Sequence, residues 1–141
     1  MTASAAGAGQ LDEDSVRRLF ASLEQGWAAG FLDAVRPDVR WEVLGSHPLA
    51  GDYEDLVAFV AGTSGALGPY LVAGVRLRVV SVLLAGRTAA VELVGSAVRR
   101  DGRDYRNEYC WIVRFDRDGR IAHVRSYLDS AAVAAAMSQD L

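Results

Sequence analysis

The chain has 141 residues, 51% of them hydrophobic, a net charge of −3 and 15 basic residues, every one an arginine. That length holds one domain with a real core, and no apolar run approaches the ~18 residues of a membrane span. The arginines are scattered, which argues against nucleic-acid and membrane partners, and a soluble, cytoplasmic protein is expected; the lack of lysine excludes side-chain Schiff bases, and one cysteine with two histidines is too few for structural zinc, so no metal or other cofactor is expected.

Residues 1–11 are rich in small residues, with no basic residue and no long apolar centre. They read as a disordered lead-in and not as a targeting peptide, ahead of one domain over residues 12–141. Asp12, Asp14 and Ser15 offer a cap and an acidic first turn for a helix over 14–28, on which Val16, Leu19, Phe20, Leu23 and Trp27 form one apolar stripe. Trp27 reads as core wall, with a ligand platform as the alternative. Gly30 stops the helix, and residues 31–35 form a short turn ended by Pro37. Residues 39–45 alternate, placing Val39, Trp41 and Val43 on one face and Arg40 and Glu42 on the other, so they predict a strand with one wet side. A loop of turn formers follows over 46–53, then a helix over 54–61. Gly62, Gly65 and Gly68 come after a helix and have no lysine behind them, which removes a phosphate-binding reading.

Residues 72–85 and 88–99 predict two long strands joined at Gly86-Arg87, and Asp101-Gly102 turns the chain into a second hairpin over 104–129. Asp118-Gly119 supplies the tight turn of that hairpin. Residues 109–113 are apolar without alternation, as when both faces of a strand are covered, so this hairpin is expected at the centre of the sheet. A short Ala/Val helix over 130–137 closes the chain, with Asp129 or Ser130 as its cap. Helices gathered on one side of a long, mostly antiparallel sheet make an α+β fold.

Two carboxylates invite chemistry. Glu92 interrupts an apolar strand: in a dry pocket its pKa would rise toward neutrality and suit proton transfer, whereas on the wet side of the sheet it would pair with an arginine. Asp129 ends a row with Arg125 and Tyr127 on one face, which can supply a base, an anion stabiliser and a hydrogen-bond donor. The alternative is that Asp129 caps the last helix, Tyr127 packs and Arg125 pairs. Asn107, Tyr109 and Trp111 share a face and can orient a ligand or satisfy each other in a core. His47 lies in a loop where a proton shuttle or an idle surface residue are both possible. Tyr53 can reach over a pocket mouth or pack. Cys110 reads as a small buried hydrophobe.

The chain resembles the SnoaL-like proteins of the nuclear transport factor 2-like superfamily, which also holds ketosteroid isomerases, polyketide cyclases and limonene epoxide hydrolases. The likeness is carried by Trp27-Ala-Ala-Gly30, by Val39-Arg-Trp-Glu-Val-Leu-Gly45 with Pro48-Leu-Ala-Gly51, by Asn107-Glu-Tyr109, and by Asp118-Gly-Arg-Ile121 with Tyr127-Leu-Asp129. It implies a cone, with a strongly curved sheet wrapped around helices, an apolar pocket at the wide end and a homodimer made through the sheet. It also implies an acidic residue near the end of the last strand as acid or base, a position that Asp129 matches. The Arg and Asp pair of the epoxide hydrolases is not evident, because Glu92 has no arginine two residues away. The expected function is a cofactor-independent cyclase or isomerase of natural-product type, acting on a hydrophobic, carbonyl-bearing small molecule. Asp129, Glu92, Tyr127 and His47 would do the chemistry, and Trp41, Tyr53, Asn107, Tyr109, Trp111 and Arg125 would hold the substrate. The alternative is a non-catalytic small-molecule-binding or dimerisation module of the same fold.

Overall fold

A computed structural model describes residues 11–27 and 30–141. The expected lead-in over residues 1–10, and residues 28 and 29 at the end of the predicted first helix, lie outside the described residues; Leu11 packs against the core. Helix α1 (Glu13–Ala21) starts on a reciprocal cap, in which Asp12 accepts from the Ser15 amide at 2.7 Å and the Ser15 hydroxyl accepts from the Asp12 amide at 3.1 Å. It runs into a 3-10 turn at Ser22–Gln25 and stops at Gly26, whose φ of 107° leaves helical space, so the chain turns before the predicted Gly30.

Strand β1 (Val35–Val43) begins earlier than its alternation indicates and contains Pro37. The proline is tolerated because the pairing with the last strand slips between Val35 and Arg40, where its missing N–H is not needed. The expected loop after it contains a short strand, β2 (Gly51–Tyr53), antiparallel to β1. Helix α2 (Leu56–Gly62) is capped by Asp55, which accepts from the Ala58 amide at 2.8 Å. The glycine-rich segment folds as a single helical turn, α3 (Ser64–Leu67), and a 3-10 turn, Gly68–Tyr70.

Strands β3 (Arg76–Ala85), β4 (Thr88–Val98), β5 (Asp104–Phe115) and β6 (Ile121–Leu128) form the expected meander, and α4 (Ser130–Ala136) closes it. The sheet order is β2-β1-β6-β5-β4-β3, with only β1 and β6 parallel, so the β5–β6 hairpin is central. Its turn spans Asp116 to Arg120: the Asp116 carboxylate accepts from the Asp118 and Arg120 amides at 2.9 Å each, and Gly119 alone takes a positive φ.

Register shifts between Val79 and Ser81 and between Arg114 and Phe115 bend the strands. The result is an α+β fold in which a curved, open, mostly antiparallel six-stranded sheet wraps the N-terminal helices. Its concave face carries Trp41, Val91, Leu93, Trp111, Val113 and Val124, all buried with Phe20 and Phe31. Its convex face carries Arg76, Glu92, Arg106 and Arg125, all exposed, and Cys110 and Ile112 are half-buried there. A second cluster, in which Val133 and Ala136 of α4 meet Leu49, Leu67, Leu71 and Tyr105, closes one end of the concave side.

Candidate functional site

On the concave side the packing is incomplete, and an apolar cavity of about 170 Å³ remains. An engineered cavity on the order of 150 Å³ with similar walls stays dry and admits benzene, so this one has room for a ring system. Trp27, Phe59 of α2, Leu67, Trp111, Leu128 and Val133 supply much of the wall. The exposed Ser64, Gly68 and Gly74 mark its rim. Trp27 and Trp111 stack with centroids 5.9 Å apart, so Trp27 is core wall and cavity wall at once. Among the described residues, none that lines it is Asp, Glu, His or Arg.

The polar edge is built on β5, where residues two apart share a face. Asn107 accepts from the Asp129 amide at 2.9 Å, which fixes its carboxamide orientation, because an amide N–H can only donate. Its nitrogen then donates to the Asp129 carbonyl at 3.0 Å and to the Tyr105 hydroxyl at 2.9 Å. Tyr105 and Tyr109, both in the cavity wall, share a hydrogen bond of 2.9 Å between their hydroxyls. Whichever phenol donates to the other, one O–H hydrogen is left over, and among the described residues it has no protein acceptor. Burial pushes the Tyr109 phenol well above its usual range and raises that of Tyr105 too, so both remain neutral donors near neutral pH. What they can do is polarise a carbonyl or another acceptor oxygen in a dry site.

The residues expected to catalyse lie elsewhere. The inner row of β6 is Val124, Ser126 and Leu128, so Arg125 and Tyr127 point outward, with the guanidinium 5.8 Å from the ring centre. The inner row of β4 is Val91, Leu93 and Gly95, so Glu92 is outside, accepting from the Ser81 hydroxyl at 2.6 Å. Asp129 has left the strand and caps α4, accepting from the Ala131 amide at 3.0 Å. His47 braces its own loop: Nδ1 accepts from the Leu49 amide at 3.1 Å, and Nε2 lies 3.0 Å from the Leu44 carbonyl. None of the four lines the cavity, so the structure does not bring them together there.

Of the expected contact residues, Tyr109 and Trp111 line the cavity and Asn107 stands one bond behind it. Trp41 is fully buried, stacks on Phe59 at 3.7 Å and donates to the Ser126 hydroxyl at 2.7 Å. Tyr53 donates to the Leu49 carbonyl at 2.8 Å, and its ring takes the space a Cβ on Gly62 would need. Trp41 and Tyr53 therefore support the walls without forming them, and Arg125 does neither. Tyr105 and Ser126 were missed. The row Tyr105, Asn107, Tyr109, Trp111 shows Tyr105 by alternation, and Ser126 is the lone polar residue in an apolar row. No cluster of His, Cys, Asp and Glu able to hold a metal occurs among the described residues, and no described helix is long and apolar enough to cross a membrane.

A family model described as a SnoaL-like domain matches residues 16–124. No curated protein matches the chain. A nuclear transport factor 2-like protein from Burkholderia thailandensis is 22% identical, with 92% of this chain and 100% of that one covered and a TM-score of 0.72. A putative isomerase from Rhodopseudomonas palustris is 16% identical over 91% of this chain and 98% of its own, with a TM-score of 0.65. TerC, co-crystallised with polyporic acid, is 19% identical over 88% and 98%, with a TM-score of 0.68. At these identities the likeness concerns the fold.

Proposed function

The chain belongs to the SnoaL-like domain family, and from that premise we propose that it encloses one neutral, largely apolar small molecule whose acceptor oxygen meets the phenol pair. The observation that carries this reading is the uncharged cavity ending in the chain Asn107, Tyr105, Tyr109, with one phenol hydrogen unclaimed. An anion there would be desolvated with no counter-charge among the described residues of the wall, which costs several kcal/mol. An apolar molecule with a carbonyl fills both requirements. Binding is tested by titrating the protein with 1-decalone while following tryptophan emission, since Trp27 and Trp111 face the ligand, and by the shift in melting temperature. Unchanged emission and an unchanged Tm would sink it.

A cyclase or isomerase is the second reading, favoured by the same phenols. A donor aimed at a carbonyl oxygen stabilises the enolate formed when a neighbouring carbon loses its proton. No described lining side chain can take that proton, so it passes to water or to a basic group of the ligand itself. Exchange of the ketone's α-hydrogens in deuterium oxide, accelerated by the parent protein and not by Y105F/Y109F, supports this reading; exchange at the uncatalysed rate removes it and leaves binding.

A second copy of the chain is the proposed protein partner. Its support is the convex face, where Leu83 is 67% exposed and Tyr127 41%, beside the half-buried Cys110 and Ile112.

A further inference from the structure

The inner row of β6 contains one polar side chain, Ser126, only 3% exposed and part of the cavity wall. Its hydroxyl oxygen accepts from the Trp41 indole N–H, which can only donate. The hydroxyl's own hydrogen must therefore go elsewhere, and among the described residues it meets no acceptor. A buried hydroxyl held from one side with its donor unclaimed is uncommon in a finished core. It is the counterpart of the unclaimed phenol hydrogen at the other end of the cavity.

The positions of the two donors follow from the sheet. The Tyr109 ring lies over Gly95 on β4: a Cβ at Gly95 would be 2.7 Å from the ring and 3.2 Å from its hydroxyl. Gly95 pairs with Asn107 on one side of β5, whereas Ser126 pairs with Trp111, four residues further along, on its other side. Two strand spacings and four residues of rise put these ends roughly 16 Å apart before curvature is counted. Acceptors at hydrogen-bond distance from each donor are then separated by roughly 10 Å.

We propose that the cavity is selective for an elongated neutral dicarbonyl compound, one oxygen held by the Tyr105–Tyr109 pair and the other by Ser126. This rests on the binding function proposed above and adds to it the ligand's length and second oxygen. The apolar wall between the two ends accepts a saturated or aromatic ring system and offers no other polar contact along the path of β5. A compound with one carbonyl leaves one buried donor unmatched, and a charged one finds no counter-ion.

Three compounds of one skeleton test this: bicyclohexyl, 4-cyclohexylcyclohexanone and bicyclohexyl-4,4'-dione, whose oxygens lie about 10 Å apart. Dissociation constants are read from tryptophan emission. Each added carbonyl is expected to tighten binding about five- to tenfold on the parent protein. In S126A the dione should bind no tighter than the monoketone, and S126T should restore the second step. Equal affinity for all three compounds on the parent protein would overturn the two-donor assignment and leave the pocket standing. A dione preference that survives in S126A would remove Ser126 from it. If none of the three binds, the binding function itself falls. The parent-protein series stands even if S126A does not fold.

Discussion

Asn107 is buried at 2% exposure and joins three structural layers: the central strand, the start of α4 and the phenol pair. Replacing it with alanine removes three hydrogen bonds of 2.9, 3.0 and 2.9 Å. At about 1 kcal/mol net for each bond, N107A should lose about 3 kcal/mol of stability. Asp129 itself is exposed, so water can reach part of its backbone, which keeps the loss near that figure and not at the full cost of three unmatched buried groups. For a chain of this size that is roughly a 10 °C fall in Tm. Urea unfolding followed by circular dichroism gives the free energy, and the midpoint should move with an unchanged m-value. The same variant should weaken ketone binding, because the Tyr105 hydroxyl loses the Asn107 donor that holds it in place beside Tyr109. A loss under about 0.5 kcal/mol, within the range of ordinary surface substitutions, would refute this bonding pattern.

D129N and E92Q should leave ketone binding and any turnover at parental levels, since Asn caps a helix as well as Asp and Glu92 lies on the far face; a large drop in turnover with intact folding would return a carboxylate to the chemistry. Burial raises the Tyr53, Tyr105 and Tyr109 phenols above their usual 10.0. The unfolded chain therefore releases these protons first, and stability should be flat below about pH 10 and fall as pH rises through the folded values. A spectroscopic titration in which all tyrosines of the native protein ionise together at the exposed value would contradict this. L83R places a charge on the convex apolar patch and should shift a dimer to monomer in light scattering; an unchanged mass for a dimeric parent would put the interface elsewhere.

The period-two pattern grouped residues correctly and could not orient the groups. Asn107, Tyr109 and Trp111 do share a face, as do Arg125 and Tyr127, whereas Asp129 lies past the end of β6 and caps α4; alternation assigns two faces without saying which is concave. Glu92 shows the cost of that symmetry: it interrupts an apolar strand as a pocket carboxylate would, and it belongs to the convex side. Pro37 and β2 escaped for a different reason, since the bulge that admits the proline and the partner that makes Gly51–Tyr53 a strand are both supplied by distant chain.

From its residues alone the chain determined its class, the order of its long strands and the central hairpin, because capping, turn chemistry and apolar periodicity act over a few neighbours. Only the assembled sheet decided which row would line a cavity, that Asp129 would cap α4, and that Tyr105, Tyr109 and Ser126 would become the polar points of the interior. Those outcomes depend on where helices α1 and α2 settle against the sheet and on how sharply the bulges bend it, and neither is encoded within the reach of a single strand.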